Sequence, residues 1–163
     1  MSNNKHRAEL LESIHHACRA FQNAADEVDE AVCGKIEINR TDLRCLDILE
    51  RLGPMTAGEL AAHSGLTTGA TTTLIDRLER SGFAARSRDT GDRRKVLIDL
   101  TSRVRSMADE FYGGMAERWD ALARQFSDDD LTAIVSFLEA ARSINAEHAA
   151  DLRRASVKPP SAA

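Results

Sequence analysis

The chain has few aromatic side chains: five Phe, one Trp and one Tyr among 163 residues. A core built from it must rest on Leu, Ile, Val and Ala. It has three prolines and three cysteines. Cys18, Cys33 and Cys45 are scattered, which argues against the disulfide framework of small secreted domains. No apolar run is long enough to span a bilayer, and the opening MSNNKHRAELLESIHH lacks a signal peptide's apolar stretch. These absences predict a cytoplasmic protein without a membrane partner. Also missing are a Gly-rich phosphate loop, an HExxH motif and a cysteine pair at zinc-finger spacing. The expectation is a non-enzyme with no cofactor and no metal.

What is present centres on Thr56 to Thr101. Thr56 and Glu59 form a capping box, which opens a short helix over Leu60, Ala61 and Ala62. Gly65 suits the left-handed residue that ends it. Thr67 or Thr68 caps a second helix, whose Leu74, Ile75 and Leu78 lie at core spacing. Its first turns, Thr68-Gly69-Ala70-Thr71-Thr72-Thr73, are short and uncharged, as a helix lying deep in a major groove requires. Arg77 and Arg80 follow where phosphates pass. The helix should stop at Ser81-Gly82, with Phe83 as a core plug.

Ala84 to Arg88 then reads as a strand, Asp89-Thr90-Gly91-Asp92 as a turn, and Val96 to Leu100 as a second strand. Arg93, Arg94 and Lys95 give this hairpin a cationic tip, suited to the negative potential of a narrow minor groove. Two helices joined by a turn, followed by a hairpin, predict a winged helix-turn-helix. A solvated hairpin on a module that never meets DNA is the alternative at this point.

The run Asp92-Arg93-Arg94-Lys95-Val96-Leu97-Ile98-Asp99-Leu100-Thr101 resembles the wing signature of the MarR family of transcriptional regulators. The upstream LTTGATTTLIDRLERSGF resembles that family's recognition helix and its exit, and the similarity runs through nearly the whole chain in order. The resemblance implies that Asp92 orients Arg94 toward the minor groove, beside Arg93 at the tip. It implies a fold mainly α with a small β-hairpin wing, and long N- and C-terminal dimerisation helices. Its partners would be double-stranded DNA and a second copy of the chain. The expected DNA-facing residues are Thr67, Thr68, Gly69, Thr71, Thr72, Arg77, Arg86, Arg88, Asp92, Arg93 and Arg94.

The formal charge of −4 looks unsuited to DNA, but its distribution answers this. Leu66 to Arg105 holds nine basic and five acidic residues, a surplus of four, and the remainder carries −8. A basic face beside an acidic body binds DNA while limiting non-specific attraction.

Along the rest of the chain, Leu10, Ile14, Ala17, Phe21, Ala24, Ala25 and Val28 predict a long helix from about Ala8 to Val32, ended or interrupted by Gly34. Asn39 caps a helix over Arg40 to Leu52, with Asp42 completing a variant capping box. Gly53-Pro54 stops that helix. A helix from Thr101 or Ser102 to about Phe126 contains Gly113-Gly114, which predicts a bend or a close helix approach. Ser127 before three aspartates starts a last helix to about Leu152. The organisation expected is 1–38 as dimerisation helix and connector, 39–101 as DNA-binding domain, 102–154 as dimerisation helices, and 155–163 as a disordered tail. The apolar stripes of the terminal helices exceed what the small winged core covers, which points to a two-fold partner.

Three sensing devices stay open. Cys18 lies near where peroxide-sensing relatives carry a reactive cysteine held by tyrosines, but the only tyrosine of this chain, Tyr112, falls in another helix. His15 and Cys18 share a helix face, yet two ligands fall short of a metal site. A small phenolic or aromatic ligand, as MarR-like regulators often bind, would find candidate walls in His16, Phe21, Arg44, Phe111 and Met115.

Overall fold

A computed structural model of the chain describes residues 2–155. From residue 156 onward, the tail expected at 155–163 lies outside the described residues. The chain divides into two compact units, Met1–Phe111 and Tyr112–Ala163.

The first unit opens with α1 (Ser2–Ile36). This helix runs on past the expected stop at Val32 and through Gly34. A single glycine weakens a helix by only about 1 kcal/mol. Continuing the helix brings Ile36 to the core, where Ile36 and Ile38 pack. The chain turns instead at Glu37, whose φ of 57° is left-handed, and Ile38 N–H donates to the Cys33 carbonyl.

The next helix, α2 (Arg40–Leu52), is capped by Asn39 as expected: its side chain accepts the Asp42 N–H at 2.9 Å. The variant capping box is not formed. The Asp42 carboxylate turns into the protein and is 1% exposed. After Gly53 comes β1 (Met55–Thr56), a two-residue strand absent from the sequence reading.

The Thr56–Glu59 capping box then opens α3 (Ala57–Ser64), which ends at left-handed Gly65 (φ 73°). The second helix of the pair, α4 (Thr68–Arg80), is capped by Thr67, which accepts the Ala70 N–H at 3.3 Å. The wing follows as β2 (Ala84–Arg88) and β3 (Val96–Leu100). All three strands are antiparallel in the order β1-β3-β2, with Met55 opposite Ile98 and Arg88 opposite Val96.

Leu49 of α2, Leu60 of α3, Ile75 and Leu78 of α4, and Ile98 of β3 are all but fully buried. Burying each such side chain contributes about 1.5–3 kcal/mol. Phe83 is buried, as the sequence predicted, but Val96 is exposed while Ile98 and Leu100 face inward. Thr101 locks the exit of α4: its hydroxyl donates to the Gly82 carbonyl at 2.7 Å and its N–H to the Phe83 carbonyl at 3.1 Å. From there α5 (Ser102–Ala123) departs, and its Val104 and Met107 pack against the same core.

The second unit holds the rest of α5 and α6 (Asp128–Arg154). Ser127 and Asp130 form a complete capping box at the start of α6. The Ser127 hydroxyl and N–H hold the Asp130 carboxyl below the usual range. Neither helix has a buried residue among those described. Met115, Leu122, Ile134, Val135 and Leu138 all face solvent. No described heavy atom stands within 4 Å of where a Cβ would sit at Gly113 or Gly114. None of the described helices is long and apolar enough to cross a membrane.

Glu37 takes a backbone conformation that is strained for a residue with a Cβ. Glu37→Gly should raise stability by about 0.5–1 kcal/mol, read as a higher urea midpoint at unchanged slope.

Candidate nucleic-acid interface

The faces of α4 divide sharply. Thr71, Leu74, Ile75 and Leu78 are buried, whereas Thr68, Gly69, Thr72, Thr73 and Asp76 are exposed. Thr71 therefore corrects the sequence reading: it is 0% exposed and cannot meet a groove. Its hydroxyl donates to the Thr67 carbonyl at 3.0 Å, which lets the side chain pack as a core residue. The signal was present in its spacing, three, four and seven residues before Leu74, Ile75 and Leu78. Thr72 and Thr73 donate in the same way to the Thr68 and Gly69 carbonyls. Each of these keeps an acceptor oxygen and a methyl on the exposed side. Thr67 is exposed at the cap.

Two of the arginines expected to face DNA are engaged within the protein. Arg77 grips the buried Asp42 with both arms of its guanidinium, Nε to Oδ2 at 2.9 Å and Nη2 to Oδ1 at 2.5 Å. That pair joins α4 to the start of α2 and holds the Arg77 pKa above its ordinary value. Arg86 on β2 reaches back to α4. Its Nη2 lies 2.6 Å from Asp76 Oδ1, its Nη1 meets Glu79 Oε2, and its backbone N–H donates to Glu79 Oε1 at 3.3 Å. Neither pairing was legible from the sequence, because each joins residues on different elements.

The wing tip is ordered by Asp89. Its Oδ1 accepts the N–H groups of Gly91 at 2.6 Å and Asp92 at 2.8 Å. Those two donors hold the Asp89 carboxyl below its usual range. Lys95 N–H donates to the Asp92 carbonyl at 2.8 Å, closing the turn. Asp92 Oδ1 accepts the Arg94 N–H at 3.1 Å and stands 3.7 Å from Arg94 Nε. The Arg94 side chain is 96% exposed. Arg88, Arg93 and Lys95 are exposed beside it. Behind the wing, Arg103 stacks on Phe83 at 5.0 Å and donates to the Ser81 carbonyl at 3.1 Å, bracing the end of α4.

The candidate sensing residues are spread over several elements. His16 and Phe21 are exposed on α1, and Arg44 is exposed on α2. Phe111 is half-buried on α5 with Lys35 Nζ 5.8 Å from its ring centre. Met115 belongs to the second unit. Cys18 is half-buried, while burial pushes the Cys33 and Cys45 thiols up. Among the described residues no three His, Cys, Asp or Glu side chains come together to hold a metal.

The MarR family model matches residues 38–96. YcgE of Bacillus subtilis (strain 168), an uncharacterised HTH-type transcriptional regulator, is 33% identical over 94% of this chain and 100% of its own length. Among solved structures, a point mutant of MepR from S. aureus matches at a TM-score of 0.65, with 19% identity over 78% of this chain and 94% of its own. Another MepR mutant, bound to an oligodeoxyribonucleotide, matches at 0.50, with 20% identity over 77% and 94% of the two chains. NadR in complex with 4-hydroxyphenylacetate matches at 0.56, with 19% identity over 75% and 89%.

Arg77→Ala leaves a buried carboxylate without its partner and should lower stability by about 2–4 kcal/mol, measured by urea unfolding. The Asp89 pKa is depressed, so its hold on the turn is complete above the ordinary aspartate value. That hold is lost only as pH falls through the lower folded value. An NMR titration should show the Gly91 and Asp92 amides shifting together, at a midpoint below that of a free aspartate.

Proposed function

The chain belongs to the MarR family of DNA-binding transcriptional regulators, and from that membership and the geometry of its wing we infer that it acts as a homodimeric repressor on a pseudo-palindromic site. The observation that carries this reading is the pairing of an uncharged threonine stripe on α4 with a wing whose Arg94 side chain is 96% exposed. Thr68, Gly69 and Thr72 meet the major groove, with Thr67 at the helix start. With their protons committed to backbone carbonyls, the hydroxyl of Thr72 and its neighbour Thr73 present acceptors and methyls. That chemistry favours base amino groups and thymine methyls. Arg94, steadied by Asp92, enters the minor groove, and Arg88 and Arg93 hold phosphates on either side.

Pairing of two copies is supported by the apolar side chains that α1, α5 and α6 leave in water, among them Leu10, Val28, Leu122, Ile134 and Leu138. A two-fold pair sets two copies of α4 about one helical turn of DNA apart, which calls for an inverted repeat. Such a regulator works in the cytoplasm, on the chromosome. Release by a small aromatic acid is supported by the 4-hydroxyphenylacetate held by NadR. A ligand of that kind acts only if it binds one conformation better than the other.

Selection of bound duplexes from a random pool tests the reading. An inverted repeat should emerge, and a parallel selection with 4-hydroxyphenylacetate or a thiol oxidant would expose a releasing signal. Binding that ignores salt, or no enriched duplex, would favour a winged module that docks proteins instead. Arg94→Ala should weaken the selected duplex and lower the salt slope by about 1. Its mass by light scattering should stay at twice that of the chain.

A further inference from the structure

Asp76 stands four residues after Thr72 and eight after Thr68, so it continues the exposed stripe of α4 that faces DNA in the reading above. Its carboxylate is 52% exposed and that of Glu79 is 37% exposed. Bare, both would lie near the phosphates that flank a groove-bound helix and would repel them. One side chain covers both. Arg86 reaches across from β2, places Nη2 2.6 Å from Asp76 Oδ1, and sets Nη1 against Glu79 Oε2. It is the most enclosed of the three at 34% exposure. To grip a phosphate it would have to release two carboxylates, exchanging one attraction for two uncovered repulsions.

We propose that Arg86 is the internal counter-ion of the recognition helix, masking Asp76 and Glu79 from DNA rather than anchoring a phosphate. The inference rests on the DNA-binding reading and assigns a task within it. The wing's grip then falls to Arg88, Arg93 and Arg94.

The test uses the full chain, a duplex recovered by the selection, and fluorescence anisotropy across a salt series. Arg86→Met keeps the aliphatic stem and should weaken binding about tenfold with little change in salt slope. Adding Asp76→Asn and Glu79→Gln to it should restore affinity to within about threefold of the parent. The Asp76→Asn/Glu79→Gln pair alone should bind as well as the parent or better. Circular dichroism of each variant separates lost fold from lost binding, and the pair alone carries the test if Arg86→Met unfolds. The proposal is overturned if the triple variant stays as weak as Arg86→Met and the slope drops by about 1, the mark of a lost phosphate contact. It is equally overturned if Arg86→Met binds normally, or if the carboxylate pair alone weakens binding. If the parent chain binds no duplex in a salt-dependent way, the DNA-binding reading itself fails and this inference falls with it.

Discussion

A carboxylate withdrawn almost wholly from water decides where α4 lies. Asp42 is 1% exposed, and both its oxygens are met by Arg77. A buried charge is tolerated only when paired in good geometry, so α2 and α4 are held in one mutual placement. Hydrophobic contact among Leu49, Leu60, Ile75 and Leu78 supplies the larger share of stability but is less directional. The two-armed grip fixes the direction. The exit of α4 is then clamped by Thr101 and Arg103, and its flank is tied to the wing through Arg86.

This division gives the basic surplus of the region a definite address. Arg77, Arg86 and Arg103 work within the protein, as tether, bridge and brace. The charge left at the surface is concentrated on the hairpin, where Asp89 organises the turn and Asp92 steadies Arg94. The same arginine count could serve a diffuse basic face. Here most of the helix side is uncharged and the cations gather at the tip. The acidic residues that outweigh this surplus lie in the rest of the chain.

Much of this was legible in the sequence because helix ends have local causes. Asn39, the Thr56–Glu59 box, Gly65, Thr67 and Ser127 each act within four residues, and each is found where its chemistry placed it. The wing was legible through its turn residues and its resemblance to a known pattern. What escaped was long-range. The two residues of β1 are too short to show alternation. Asp42 and Arg77 lie 35 residues apart, and nothing local marks Asp42 as buried rather than capping. Thr71 was misread because its type outweighed its position on the helix. Gly34 was given a stopping power that the burial of Ile36 overrides.

The order β1-β3-β2 leaves β2 at an open margin of the sheet. An unpaired strand margin invites strand addition from another chain, and so aggregation. Two devices blunt it here. The outward N–H of Arg86 is already occupied by the Glu79 carboxylate, and the exposed Arg88 side chains would bring like charges together if two such margins met. The margin of the wing is thereby guarded against edge-to-edge pairing.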